Sequence, residues 1–142
     1  MTVLDEMLLR AYRQTDYHVF HCPAFVLRVD EHHADLAALH RHWGVDCSAY
    51  ITACNPHSRL LTAAENRCRQ LVLESDLRQA GHAFLRGIGR HPGQNPGNDW
   101  PGEDSVLVLG LTREEAAALG RRHEQNAILW SGPDAVMQLF IL

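Results

Sequence analysis

An α+β fold, one domain spanning residues 1–142, is what this sequence predicts. Strand-like and helical segments alternate, several strand segments come in consecutive pairs, and two Thr-x-x-Glu boxes mark helix starts. Pairing through short turns favours a mixed or antiparallel sheet with helices on one face over a doubly wound parallel sheet. The expected order is α-β-β-α-β-α-β, then a long Gly/Pro loop, then β-α-β-β, with about four helices.

Residues 2–14 space Val3 or Leu4, Met7, Leu8, Ala11 and Tyr12 on one helical face. Residues 17–21 and 24–29 are β-rich runs broken at Cys22-Pro23, a hairpin pattern. Leu36, Leu39, His40 and Trp43 restore the helical period, and Gly44 stands where a left-handed residue closes a helix. Residues 45–54 form the strongest strand candidate, ended by Asn55-Pro56. Thr62 and Glu65 make a capping box, and their helix should reach Gln79 or Ala80 and stop at Gly81. Leu73 and Leu77 mark one of its faces and Cys68, Leu71, Val72 and Ser75 another, which predicts cover on more than one side. HAFLRGIG reads as a short strand. Residues 87–103 hold five of the ten glycines and three of the six prolines, a composition for a loop anchored by Trp100. SVLVLG is a buried strand, Thr112 and Glu115 open a second capped helix ending at Arg121 or Arg122, and NAILW, a Ser131-Gly132-Pro133-Asp134 turn and AVMQLFIL close the chain as a hairpin.

A chain of 142 residues buries roughly 68–70% of its unfolded surface, enough for a core without staples. Thirteen basic against 17 acidic residues give a net charge of −4, which disfavours nucleic acid as a partner. The ten histidines read as scattered surface groups, and none of His32, His33, His40 and His42 makes an i, i+4 chelating pair. Cys22, Cys47, Cys54 and Cys68 lack metal-site spacing and read as buried free thiols, so no metal is assigned. No apolar run approaches the length that spans a bilayer and the amino terminus carries no leader pattern, so a soluble cytoplasmic protein is expected, with no membrane partner. GIGRHPG lacks the lysine and spacing of a phosphate loop, Ser105 is not in a nucleophile elbow, and no cofactor is assigned.

Thr52, Asn55, Asn66, Glu103, Ser105, Gln125 and Asn126 lie at or near the ends of apolar elements and could converge at one sheet edge. Amides and hydroxyls there suit a polar small molecule or nucleotide under the Trp100 loop, with Glu103 the best candidate for a general base. The competing account is structural: Asn55 caps a turn, Ser105 bonds a loop amide, and Gln125 and Asn126 satisfy a helix end. Whether the chain is an enzyme stays open at this point. A different class of function, a non-enzymatic interaction module in which the Pro/Gly loop or the edge of the AVMQLFIL strand pairs with a protein partner or with itself as a homodimer, stands as the alternative.

The motifs Thr52-x-x-Asn55-Pro56, Glu65-Asn66, Trp100-x-x-Glu103-x-Ser105 and Gln125-Asn126-Ala127, in that order, resemble the bacterial domain family DUF3293, a family of unknown function. The resemblance runs from Tyr12 onward. Cys54 departs from it where an aromatic often stands, and Val106 where Phe is common; it implies a family and no activity.

Overall fold

A computed structural model describes residues 6–91 and 102–142. The elements are α1 (Glu6–Gln14), β1 (Asp16–Val19), β2 (Phe25–Leu27), α2 (Ala34–Trp43), β3 (Ser48–Thr52), a 3-10 turn (Pro56–Ser58), α3 (Ala63–Gln79), β4 (Phe84–Arg90), β5 (Glu103–Leu109), α4 (Arg113–Arg122), β6 (Ala127–Ser131) and β7 (Gln138–Ile141). This is the expected order and the expected α+β class. Val3, Leu4 and Trp100 lie outside the described residues, as does the loop between 92 and 101.

Both capping boxes form, each with the Thr hydroxyl on the N3 amide and the Glu carboxylate on the cap amide. Gly44 closes α2 in the left-handed region at φ 65°, and Gly81 follows α3 at φ 79°. The 87–103 stretch differs from its expected loop, because strand geometry runs through Arg90 on one side and begins at Glu103 on the other.

All seven strands pair antiparallel in the order β2-β1-β4-β5-β3-β6-β7. The sheet curls until its margins meet: Asp30 N–H donates to the Met137 carbonyl at 2.7 Å and His33 N–H to the Ala135 carbonyl at 3.1 Å, with His32 bridging Val136. Strand alternation then divides the core in two. Tyr17, Val19, Phe25, Leu27, Tyr50, Leu107, Leu109 and Leu129 point to the inside of the curl and pack with Leu36 and Leu39 of α2. Ala49, Ile51, Val106, Val108 and Ile128 point outward, under Leu73 and Leu77 of α3 and Ala116 of α4. Helices therefore serve both faces, a correction to the one-sided arrangement, and the curl is the reason: its concave side needs a plug as much as its convex side needs a cover.

Three further expectations change. Helix α3 is covered on one side only, since Leu71 and Val72 are more than half exposed. Of the cysteines, all free, only Cys54 is buried; Cys22 and Cys68 are exposed and Cys47 is intermediate. His40 and His123 depart from the surface pattern, His40 bonding the buried Ser48 hydroxyl at 2.8 Å and His123 bonding Asp76 at 3.0 Å. Among the described residues no helix is long and apolar enough to cross a membrane.

Candidate functional site

At the end of the curl away from α2, the inner faces of β1, β3, β4, β5, β6 and β7 and the underside of α1 enclose a cavity of about 430 Å³. That lies in the range of small-molecule sites, roughly 300–1,000 Å³. Two registers explain how strands that are distant in sequence share its wall. Val19, Gly87, Ser105 and Thr52 form one cross-strand row, and Tyr17, Gly89 and Glu103 form the next. Glycines on β4 keep these rows open. A Cβ at Gly87 would stand 2.0 Å from the His18 carbonyl oxygen and 2.8 Å from the Tyr50 hydroxyl, which donates to that same carbonyl at 2.8 Å. The GIG sequence thus belongs to a strand floor rather than to a loop.

The polar side of the cavity is organised by one turn. Asn55, His57 and Ser58 all lie in the left-handed region, at φ 47°, 51° and 60°, a conformation that persists only when its surroundings over-determine it. Here they do. The Asn55 amide N–H donates to Asn66 Oδ1 at 2.8 Å, while Asn55 Oδ1 accepts from Asn66 Nδ2 at 2.8 Å and from the Leu61 amide at 2.9 Å. His57 N–H reaches the Glu124 carbonyl at 2.7 Å, and Asn126 Nδ2 donates to the Ser58 hydroxyl at 2.8 Å. Successive turns of α3 brace the strand end behind it: Gln70 Oε1 accepts from the Ala53 amide at 3.0 Å, and the Arg69 guanidinium bridges the carbonyls of Ala53 and His123.

So held, the buried Asn55 aims its Nδ2 at Glu103 Oε2, 2.7 Å away. Burial pushes the Glu103 carboxyl from its ordinary 4.5 up to about 7, against the lowering effect of the Asn55 bond. Burial also raises the Tyr12, Tyr17 and Tyr50 phenols, and it moves the Cys54 thiol up to about 11, so Cys54 is a poor nucleophile. A carboxyl that titrates near neutrality can both take and give a proton at physiological pH.

Of the residues singled out from sequence, Thr52, Asn55, Glu103, Ser105 and Gln125 line the cavity together. Asn66 and Asn126 stand one hydrogen bond behind it, on Asn55 and Ser58. Several of these groups also have the structural partners expected of them. Thr52 donates to the Asp104 carbonyl at 2.7 Å, Ser105 to the Glu103 carbonyl at 2.9 Å, and Gln125 to the carbonyls of Cys54 and His123. The sequence reading missed the apolar and aromatic wall: Met7, Leu8, Ala11 and Tyr12 of α1, with Tyr17, Tyr50, Leu129 and Leu139. The stripe on α1 carried the signal, since its apolar residues lie on one face, yet no residue of α1 is buried in the core. Among the described residues no three His, Cys, Asp or Glu side chains gather as a metal-ligating group.

A family model described as "Protein of unknown function (DUF3293)" matches residues 51–128, more than half of the chain. That span begins well after Tyr12, so it is narrower than the resemblance suggested; it contains the polar residues from Thr52 to Gln125 and leaves out α1 and Tyr17. Neither a curated protein nor a solved structure matches the chain.

Proposed function

The chain belongs to the DUF3293 family, and from its cavity we propose that it is a small-molecule-binding domain whose ligand sits inside the curl beneath α1, with its polar end at Glu103. The observation that carries this reading is a half-buried carboxyl, braced by an Asn55 whose backbone N–H and Oδ1 are already bonded, at the wall of a largely apolar cavity. Natural ligand sites have this composition: apolar walls for affinity and a few fixed polar groups for orientation. The near-neutral titration of Glu103 also suits proton transfer to or from a bound molecule. A nucleotide is supported less than an uncharged or cationic ligand, because no Lys or Arg lines the cavity to receive phosphate. Self-pairing through the terminal strand is also supported less, since the backbone ahead of β7 is already bonded to residues 30 and 33.

The test is a thermal-shift screen of small neutral, cationic and anionic molecules against the wild type and Ala11→Trp, a substitution that fills the cavity from a helix with no buried residue. Ligands that raise the wild-type melting temperature should fail to raise that of the variant. Equal shifts in both proteins would move binding elsewhere and end this reading.

A further inference from the structure

We propose that the polar end of the ligand is a small organic cation, a protonated or methylated amine, received by the Glu103 carboxylate and walled by Tyr12, Tyr17 and Tyr50. This deepens the cavity reading and rests on it. The first support is an unanswered charge. Among the described residues Glu103 is the one carboxylate lining the cavity, and no Lys or Arg lines it; residues 1–5 and 92–101 contain no Lys or Arg. Oε2 accepts one bond, from Asn55, and among the described residues nothing donates to Oε1. An ionised carboxylate offers about four acceptor sites, so most of its capacity faces the space a ligand would fill.

The second support is how the tyrosines are tied. Tyr17 donates its hydroxyl to the Tyr12 carbonyl at 2.7 Å, and Tyr50 donates to the His18 carbonyl at 2.8 Å. With those hydroxyls committed to backbone, what Tyr17 and Tyr50 present to a ligand is ring. They meet edge to face, with centroids 5.2 Å apart and planes at 70°. Aromatic faces beside a carboxylate attract ammonium groups through the ring quadrupole, and they do so best when desolvated. An anion would instead meet a carboxylate and electron-rich rings with only His91 among the lining groups able to carry positive charge.

The titratable groups around Glu103 are Tyr12 of α1, Tyr17 of β1, Tyr50 of β3, Cys54 after β3, His91 after β4 and the neighbouring, exposed Asp104. The phenols and the thiol are neutral at pH 8. The charge that governs cation binding there is therefore that of Glu103, and affinity should fall as Glu103 takes up its proton.

Isothermal titration of the full chain with phenyltrimethylammonium and its uncharged isostere tert-butylbenzene tests this. At pH 8 the cation should bind more tightly by about tenfold or more. Its advantage should shrink toward about tenfold per unit as pH drops below 7, and Glu103→Gln should erase it. Tyr12→Leu, which removes one ring from a helix outside the core, should weaken binding of the cation several-fold more than binding of the isostere. Equal binding of both probes, indifferent to pH and to Glu103→Gln, would overturn the cation assignment and leave the cavity reading standing. Binding of neither probe would overturn both.

Discussion

Glu103 and Asn55 form a pair in which each determines the other's behaviour. The folded pKa of Glu103 is raised from 4.5 to about 7, so its contribution to stability is fully present below pH 4.5 and is lost as pH rises through about 7. His40 and His123 have lowered values from burial, so theirs is present above pH 6.5 and is lost as pH falls through their folded values. Glu103→Gln separates the two slopes. The amide keeps an oxygen for Asn55 but cannot ionise, so the variant should match the wild type near pH 4 and exceed its stability by up to about 3 kcal/mol at pH 8. Paired denaturant titrations at the two pH values measure this, and a constant difference between the proteins would refute it. The sequence marked Glu103 and Asn55 as partners in one site because both sit where a strand ends. It could not reveal the raised titration, which follows from a cavity assembled by six strands.

At the scale of elements, local signals carried furthest where the physics is local. Thr62 and Thr112 each complete a box with a glutamate three residues on, and replacing either by Ala should cost about 1 kcal/mol in chemical denaturation. Gly44 was legible for the same reason, since a left-handed helix stop depends on one residue. Strand β4 was legible as HAFLRGIG, but its two glycines also fell in the stretch read as a Pro/Gly loop, because glycine weakens a strand unless something must approach it closely. Something does: the Tyr50 hydroxyl crosses to the His18 carbonyl where a Cβ on Gly87 would stand. Gly87→Ala should therefore destabilise by about 1–3 kcal/mol, against near neutrality for an ordinary strand Gly→Ala exchange. A melting temperature within error of the wild type would show that the His18 carbonyl and the Tyr50 hydroxyl can both be displaced freely.

Across the whole molecule, the α+β class and element order follow from period and turn chemistry, but the closure of the sheet does not. Closure depends on backbone bonds between residues 30–33 and 135–137, a pairing that no local pattern encodes. The candidate site has the same origin. Its polar residues could be gathered from strand ends, whereas its aromatic wall needs α1 brought over strands from every part of the chain. Leu107, fully buried at the centre of β5, belongs to the part that holds the curl together; Leu107→Ala should cost about 2–5 kcal/mol.

The phenol of Tyr50 spans from β3 to the carbonyl of β1 with two strands between them. Leu107, Leu109, Leu36 and Met137 belong to the packed interior alone, Met7, Leu8 and Ala11 to the cavity alone, while Tyr17, Tyr50, Leu129 and Leu139 serve both. The crossbar thus acts as a bulkhead between two compartments with separate duties. Substitutions on one side of it should be tolerated by the fold and felt by the ligand, and those on the other the reverse. On the proposed reading, that would leave the choice of ligand free to change without retuning the structure that holds it.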